Sequence, residues 1–368
     1  MKQVLTACVI FLLPAVKAPA FRRYDDSIMT GYTKVREQAA KGEKQPAAEN
    51  RKEQELLIKA AALVKRKDFA GAEETLRLVH GNGRNDAWIN KALGFVAFNR
   101  MKPVEAIAWF ENAAVLEKPD SWLYAQLGSA WELRADLRLR DKFSAPRDAE
   151  ALRLETEGIK KDFETALDYT KKALIGDVSN AWLLSQAGKI LGNLDRHWEA
   201  LGYLTRAESA GRDDPWLYSE IGWDYGIVGD YRQALDYFRL AAEKGRDDAW
   251  IYSKIAWSYD KLGEYENAID NYLKASALSP DDAWAVYNLG VAYRNNKDYD
   301  KALDCYEKIR KTGAYSGWTQ LQTARIYAEQ GRKAEAQPWL EEGKSLLDTK
   351  AEDVRNEIEQ IESIMNKL

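Results

Sequence analysis

The sequence predicts an all-α fold, a solenoid of about eight helix-turn-helix repeats with a C-terminal capping helix, and three observations carry that expectation. Tryptophan recurs at a fixed period. Trp216, Trp250, Trp284 and Trp318 lie 34 residues apart, Trp182 lies 34 before Trp216, and Trp88 lies 34 before Trp122. A period in this range marks stacked supersecondary units that bury their apolar faces only against one another. Within a unit, apolar residues fall at helical spacing. Tyr252, Ile255, Ala256 and Tyr259 form one stripe, Gly263 breaks it, and Ala268, Tyr272 and Ala275 form a second. Finally, each unit is preceded by a helix N-cap former: Asp86, Asp120, Asn180, Asp214, Asp248, Asp282 or Ser316. Their side-chain oxygens accept from the unpaired amides of a first helical turn.

Taken in order, residues 1–20 read as a signal peptide, with Lys2 as a positive start, a short apolar core over 4–16, and Ala18-Pro19-Ala20 as a small-residue cleavage site. The core is too short to span a bilayer as a stable helix. The expected location is therefore secreted or periplasmic, with a cytoplasmic chain as the alternative. Leu5-Thr6-Ala7-Cys8 looks like a lipoprotein box, but the apolar stretch follows the cysteine instead of preceding it. Residues 21–52 form an N-terminal polar segment; 27–40 could make one short helix, and 41–50 reads as a linker.

The repeats occupy 53–346. A degenerate first unit begins near Glu53, with Lys59 where a large apolar residue is expected, as suits a solvent-exposed cap. Regular units follow from Ala87, Ser121, Ala181, Pro215, Ala249, Ala283 and Gly317. Gly83, Gly211, Gly245 and Gly313 lie three residues before their caps, where the preceding helix should stop. The unit at Ser121 is interrupted: 60 instead of 34 residues separate Trp122 from Trp182, an excess of 26. The only strong break, Ser144-Ala145-Pro146, lies near its middle, so the insertion, about 132–160, should be a long helical hairpin with both helices extended by about 13 residues. After the repeats, 347–368 should be a capping helix with Val354, Ile358, Ile361, Met365 and Leu368 on one stripe. The alternative for that helix is homodimerisation.

The pattern large-x2-Leu-Gly-x2-Tyr, then Ala-x3-aromatic, then Pro is carried by Val286, Leu289, Gly290, Tyr293, Ala302 and Tyr306, with Pro280 as the terminal proline of the unit before. It resembles the tetratricopeptide repeat. The resemblance implies a right-handed α-solenoid that binds an extended peptide or protein partner in a concave groove lined by the first helices. One departure is clear: the family's usual tryptophan place holds Tyr218, Tyr252 or Val286, and the tryptophan stands two residues upstream. The paired Lys and Asn pattern that grips a terminal carboxylate in some family members is not evident.

Composition limits the function. Acidic and basic residues alternate throughout and the net charge is −4, which is no nucleic-acid footprint. Two cysteines, Cys8 and Cys305, make no disulfide framework, and Cys305 reads as a small packed side chain. His80, expected in a loop, and His197, at a helix start, lack partners at ligand spacing, so no metal or cofactor is expected. Repeats and caps fill the chain, no phosphate loop or nucleophile motif is present, and an enzyme is not expected.

The candidate partner-binding face lies opposite the core stripe and comprises Trp216, Trp223, Trp250, Trp257, Asp260, Trp284, Tyr287 and Arg294, with Ser219, Ser253, Lys261, Val291 and Asn295 beside them. Tryptophans present in every repeat are also what packing between repeats would require. Trp223 and Trp257 occur only in adjacent units, so repeat architecture does not demand them. The expected function is a non-enzymatic interaction scaffold. The alternatives are an envelope glycan-binding protein that stacks sugars on the tryptophans, or a dimeric assembly factor.

Overall fold

The computed structural model describes residues 48–142 and 149–367, which hold seventeen α-helices and, among the described residues, no strand. The proposed signal peptide with Cys8, the short helix at 27–40, most of the linker, the Ser144-Ala145-Pro146 break and Leu368 lie outside the described residues. Two compact units divide at Arg212 and Asp213.

The first unit contains four helical hairpins: α1 (Ala48–Lys65) with α2 (Phe69–Gly81), α3 (Ala87–Asn99) with α4 (Pro103–Leu116), α5 (Ser121–Lys142) with α6 (Ala149–Gly176), and α7 (Ala181–Asn193) with α8 (His197–Ser209). Helix α1 starts at Ala48, ahead of the start expected near Glu53. His80 lies in the last turn of α2, not in a loop as expected, and its ring sits edge-on to Trp109 at 5.2 Å. The interrupted repeat is a lengthened hairpin, but unequally so: α5 has 22 residues and α6 has 28, against 13 in α7. Charge ties the two long helices together. Asp162 on α6, only 2% exposed, accepts from Arg134 and from Arg138, and Glu155 takes the other edge of the Arg138 guanidinium.

The second unit holds α9 (Pro215–Ile227) with α10 (Tyr231–Glu243), α11 (Ala249–Lys261) with α12 (Tyr265–Leu278), α13 (Ala283–Asn295) with α14 (Tyr299–Arg310), α15 (Trp318–Glu329) with α16 (Lys333–Leu346), and α17 (Glu352–Met365).

One packing device recurs in every hairpin. Ala72, Ala106, Ala166, Ala200, Ala234, Ala268, Ala302 and Ala336, each on a second helix, are all completely buried. The absence of bulk there lets the two helix backbones approach. The first helix supplies the matching gap: a Cβ at Gly222 would fall 2.8 Å from the Phe238 ring, and one at Gly290 2.6 Å from the Tyr306 ring. Phe238 and Tyr306 fill that space and are themselves buried. Burying a large aromatic contributes roughly 1.5–3 kcal/mol relative to leaving it in water.

Six of the seven N-caps form as expected. Asp86, Asp120, Asn180, Asp214, Asp248 and Asp282 each accept from a first-turn amide, for example Ile89 N–H at 2.9 Å and Leu217 N–H at 3.0 Å. Ser316 does not cap α15. The cap is Gly317, whose φ of +87° suits glycine and whose missing side chain leaves room for Leu347. Gly83, Gly211, Gly245 and Gly313 all adopt positive φ at the ends of their helices.

The C-terminal stripe closes on its own chain. Val354, Ile358, Ile361 and Met365 are buried in a cluster with Leu321, Ala324, Ala328, Ala336 and Leu340 of α15 and α16. The Glu357 carboxylate accepts from Arg325 Nη1 with both oxygens, at 3.0 and 3.1 Å, and from Gln322 at 3.0 Å. Those four residues of the stripe are covered by their own chain.

Candidate functional site

The candidate residues all belong to α9, α11 and α13 of the second unit. The structure separates them into residues that pack and residues that remain partly open.

Trp250 and Trp284 sit edge-on to the large aromatic of the preceding hairpin's second helix. Trp250 meets Phe238 at 5.8 Å and 86°, and Trp284 meets Tyr272 at 6.2 Å and 66°. In the first unit Trp122 repeats this against Phe110 at 6.1 Å and 82°. Edge-to-face geometry places the positive ring edge on the negative π-face and adds about 0.5–1.5 kcal/mol to burial. The Arg246 guanidinium lies 3.9 Å from the Trp250 ring centre. Trp216, at the same repeat position, is half-buried.

Trp223 and Trp257 pair across two consecutive repeats, with ring centroids 6.4 Å apart. Both are half-buried. Tyr231 meets Trp257 at right angles, 5.4 Å away, and the Trp257 ring rests where a side chain at Gly226 would otherwise stand.

Sequence reasoning missed the residue at the centre of these rings. Lys254 is 3% exposed, and its Nζ lies 4.3 Å from the Trp284 ring, 4.6 Å from Trp223 and 5.6 Å from Trp250. An ammonium facing several π-clouds gains about 0.5–2 kcal/mol per well-placed ring once desolvated. The signal was its spacing: Lys254 falls four residues after Trp250 and three before Trp257, on their shared stripe.

The polar members are more buried than a rim of contacts requires. Ser219 is fully buried and donates to the Pro215 carbonyl at 2.7 Å. Ser253 is 2% exposed, and its hydroxyl has no partner among the described residues. Neither supplies a surface contact, contrary to expectation, because the neighbouring hairpins close over that side of each helix. Asp260 accepts from Asn295 Nδ2 at 2.9 Å, a bridge between consecutive repeats. Lys261 is exposed.

Tyr287 stacks on Tyr315 at 5.1 Å and tilts against Tyr306 at 5.9 Å. Burial, with the charge of Glu357, pushes its phenol well above the usual range. Arg294 is 8% exposed; its Nη2 donates to Asn295 at 3.0 Å, and its Nη1 lies 3.9 Å from Glu329. These two residues tie α13 to the hairpin that follows. Among the described residues, no three His, Cys, Asp or Glu side chains converge as a metal site would need.

Two models of the tetratricopeptide repeat match the chain, over residues 258–297 and 284–312. No curated protein matches it. Among solved structures, the C-terminal part of a TPR repeat-containing protein from Cytophaga hutchinsonii is 16% identical, with 68% of this chain and 93% of that one covered and a TM-score of 0.51. A tetratricopeptide repeat protein from Parabacteroides merdae is 14% identical over 76% of this chain and 98% of that one, also with a TM-score of 0.51. YrrB, described as a TPR protein with an unusual peptide-binding site, is 22% identical over 54% of this chain and 90% of that one, with a TM-score of 0.42. With eight hairpins that each bury an alanine of the second helix completely, and the repeat signature matched across 258–312, the chain carries tetratricopeptide repeats.

Proposed function

We propose that the chain is a non-enzymatic, exported scaffold that holds a protein segment on the face formed by α9, α11 and α13. The observation that carries this reading is the Trp223–Trp257 pair. Repeat architecture asks for neither residue, yet both are present in adjacent repeats, 6.4 Å apart and only half-buried. Large rings left partly open on a rigid support bring much contact area at little entropic cost, which is what binding hot spots use. Lys254 beneath Trp223, and Tyr231 against Trp257, hold the two rings in position, so the face is organised before a partner arrives. Asp260, Asn295 and Lys261 supply polar groups at its edge.

The test is affinity capture from an envelope extract, comparing wild type with a Trp223→Ala/Trp257→Ala chain. A bound protein recovered with wild type and lost with the double variant supports the scaffold. Recovery of polysaccharide in place of protein overturns it.

A further inference from the structure

A polar site lies in the first unit and is independent of the reading above. On α5, Ser129, Glu132 and Asp136 share one stripe, and on α7 Gln186 and Lys189 face them. Lys189 Nζ donates to Glu132 at 2.7 Å and to Asp136 at 2.9 Å. Gln186 Nε2 donates to Ser129 Oγ and to Glu132 Oε2, both at 2.9 Å. Among the described residues, two carboxylates therefore share a single ammonium, one negative charge more than it balances. Arg134 does not supply the balance, because it is committed to Asp162 on the other side of α5.

Two acceptors at this site are unused. Gln186 is 6% exposed, and its Oε1 accepts nothing from any described residue. The amide cannot be turned to cure this, since its oxygen would then face Glu132. Asp136 takes Lys189 on Oδ2, accepts nothing on its other oxygen from the described residues, and keeps 16% of its side chain exposed. Burial pushes the Asp136 carboxyl up, Lys189 opposes this, and Glu132 adds a smaller push.

We infer that this α5–α7 face is a docking site for a basic side chain of a partner polypeptide, an arginine or lysine seated on the open oxygen of Asp136, with the buried, unpartnered Gln186 carbonyl adding to the negative potential of the site. A cation with several N–H donors matches both the surplus charge and the open carboxylate oxygen. The lengthened hairpin is what creates the site, because Asp136 stands beyond the point where a helix of 13 residues starting at Ser121 would have ended.

The probe is a fluorescein-labelled peptide of about nine residues alternating glycine and arginine. A lysine version and a version with uncharged, isosteric citrulline are its companions, and anisotropy is read on the full chain at physiological ionic strength. The arginine or lysine peptide should bind at least tenfold more tightly than the citrulline peptide. Asp136→Asn, which keeps an acceptor for Lys189, should remove that difference. Lys189→Met should strengthen cationic binding several-fold by removing the internal competitor, and if that variant does not fold, Asp136→Asn still decides. Asp168→Asn, an exposed acid paired only with Lys172 on its own helix, should change nothing. Equal binding of the citrulline peptide, or an equal loss in Asp168→Asn and Asp136→Asn, overturns the inference.

Discussion

Trp223 and Trp257 come from consecutive repeats, and their ring planes are tilted by 32° with the Lys254 ammonium beneath Trp223. The pair is therefore part surface and part joint between hairpins. A reading of one helix in isolation would leave both rings free to go at no cost in stability. The contacts with Tyr231 and Gly226 say otherwise for Trp257. We expect Trp223→Ala to cost about 1 kcal/mol and Trp257→Ala about 1–3 kcal/mol in urea unfolding, below the roughly 3–5 kcal/mol typical of a fully buried ring such as Phe238. Partner binding should fall at least tenfold in the double variant. A Trp223→Ala single variant as destabilised as Phe238→Ala would make that ring core and remove the binding face.

Removing α17 should be costly. Truncation after 347 uncovers Leu321, Ala324, Ala328 and Leu340, and it leaves Arg325 and Gln322 without the Glu357 carboxylate. We expect a lower Tm, dye binding to exposed apolar surface and concentration-dependent aggregation, because terminal elements shield their neighbours in a solenoid. An unchanged melting curve would mean that the last hairpin does not need its cover.

Glu73 on α2 is 6% exposed and pairs with Arg77 and Arg100. Desolvation pushes its carboxyl up, but the two guanidiniums outweigh that and hold it below the usual range. A carboxyl depressed on folding adds stability that is fully present above its unfolded pKa and disappears as pH falls through the lower folded value. Wild type should therefore lose Tm more steeply than Glu73→Gln below about pH 4.5, with the variant already weaker at neutral pH. Parallel Tm profiles for the two chains would show that the ion pairs contribute nothing across that window.

The architecture was legible because the repeat imposes one steric rule. A small residue on the first helix and an alanine on the second must meet at fixed spacing, and the string Gly94, Gly188, Gly222, Ala256, Gly290 records that rule directly. The caps were legible for the same reason, except at Ser316. There the turn over 311–317 displaces the helix start by one residue, and glycine's freedom at φ +87° permits it. The face was only half legible. A helical wheel assigns Ser219, Ser253 and Lys254 to the outward half of their helices, but burial there is decided by hairpins before and after, which no single helix encodes. Lys254 reads as a solvated charge until Trp223 and Trp284 are placed on either side of it. The uneven growth of α5 and α6 had no local signal beyond one Pro-containing break.

Cys305 connects the fold to the question of export. It lies on α14 beside the buried Tyr306, and burial, with a smaller push from Asp304, raises its thiol to about 11. The thiolate is the reactive form, so the folded chain should react with a disulfide reagent at pH 8 far more slowly than the same chain in guanidinium, and the folded rate should climb between about pH 9 and 11. The unfolded count carries the second result. Cleavage before Phe21 would remove Cys8 and leave one thiol per chain, whereas an unprocessed chain has two. For protein recovered from its native host, we expect one thiol in guanidinium and an N-terminal sequence beginning at Phe21. Two thiols with Met1 intact would keep the chain in the cytoplasm, and the search for its partner would move there with it.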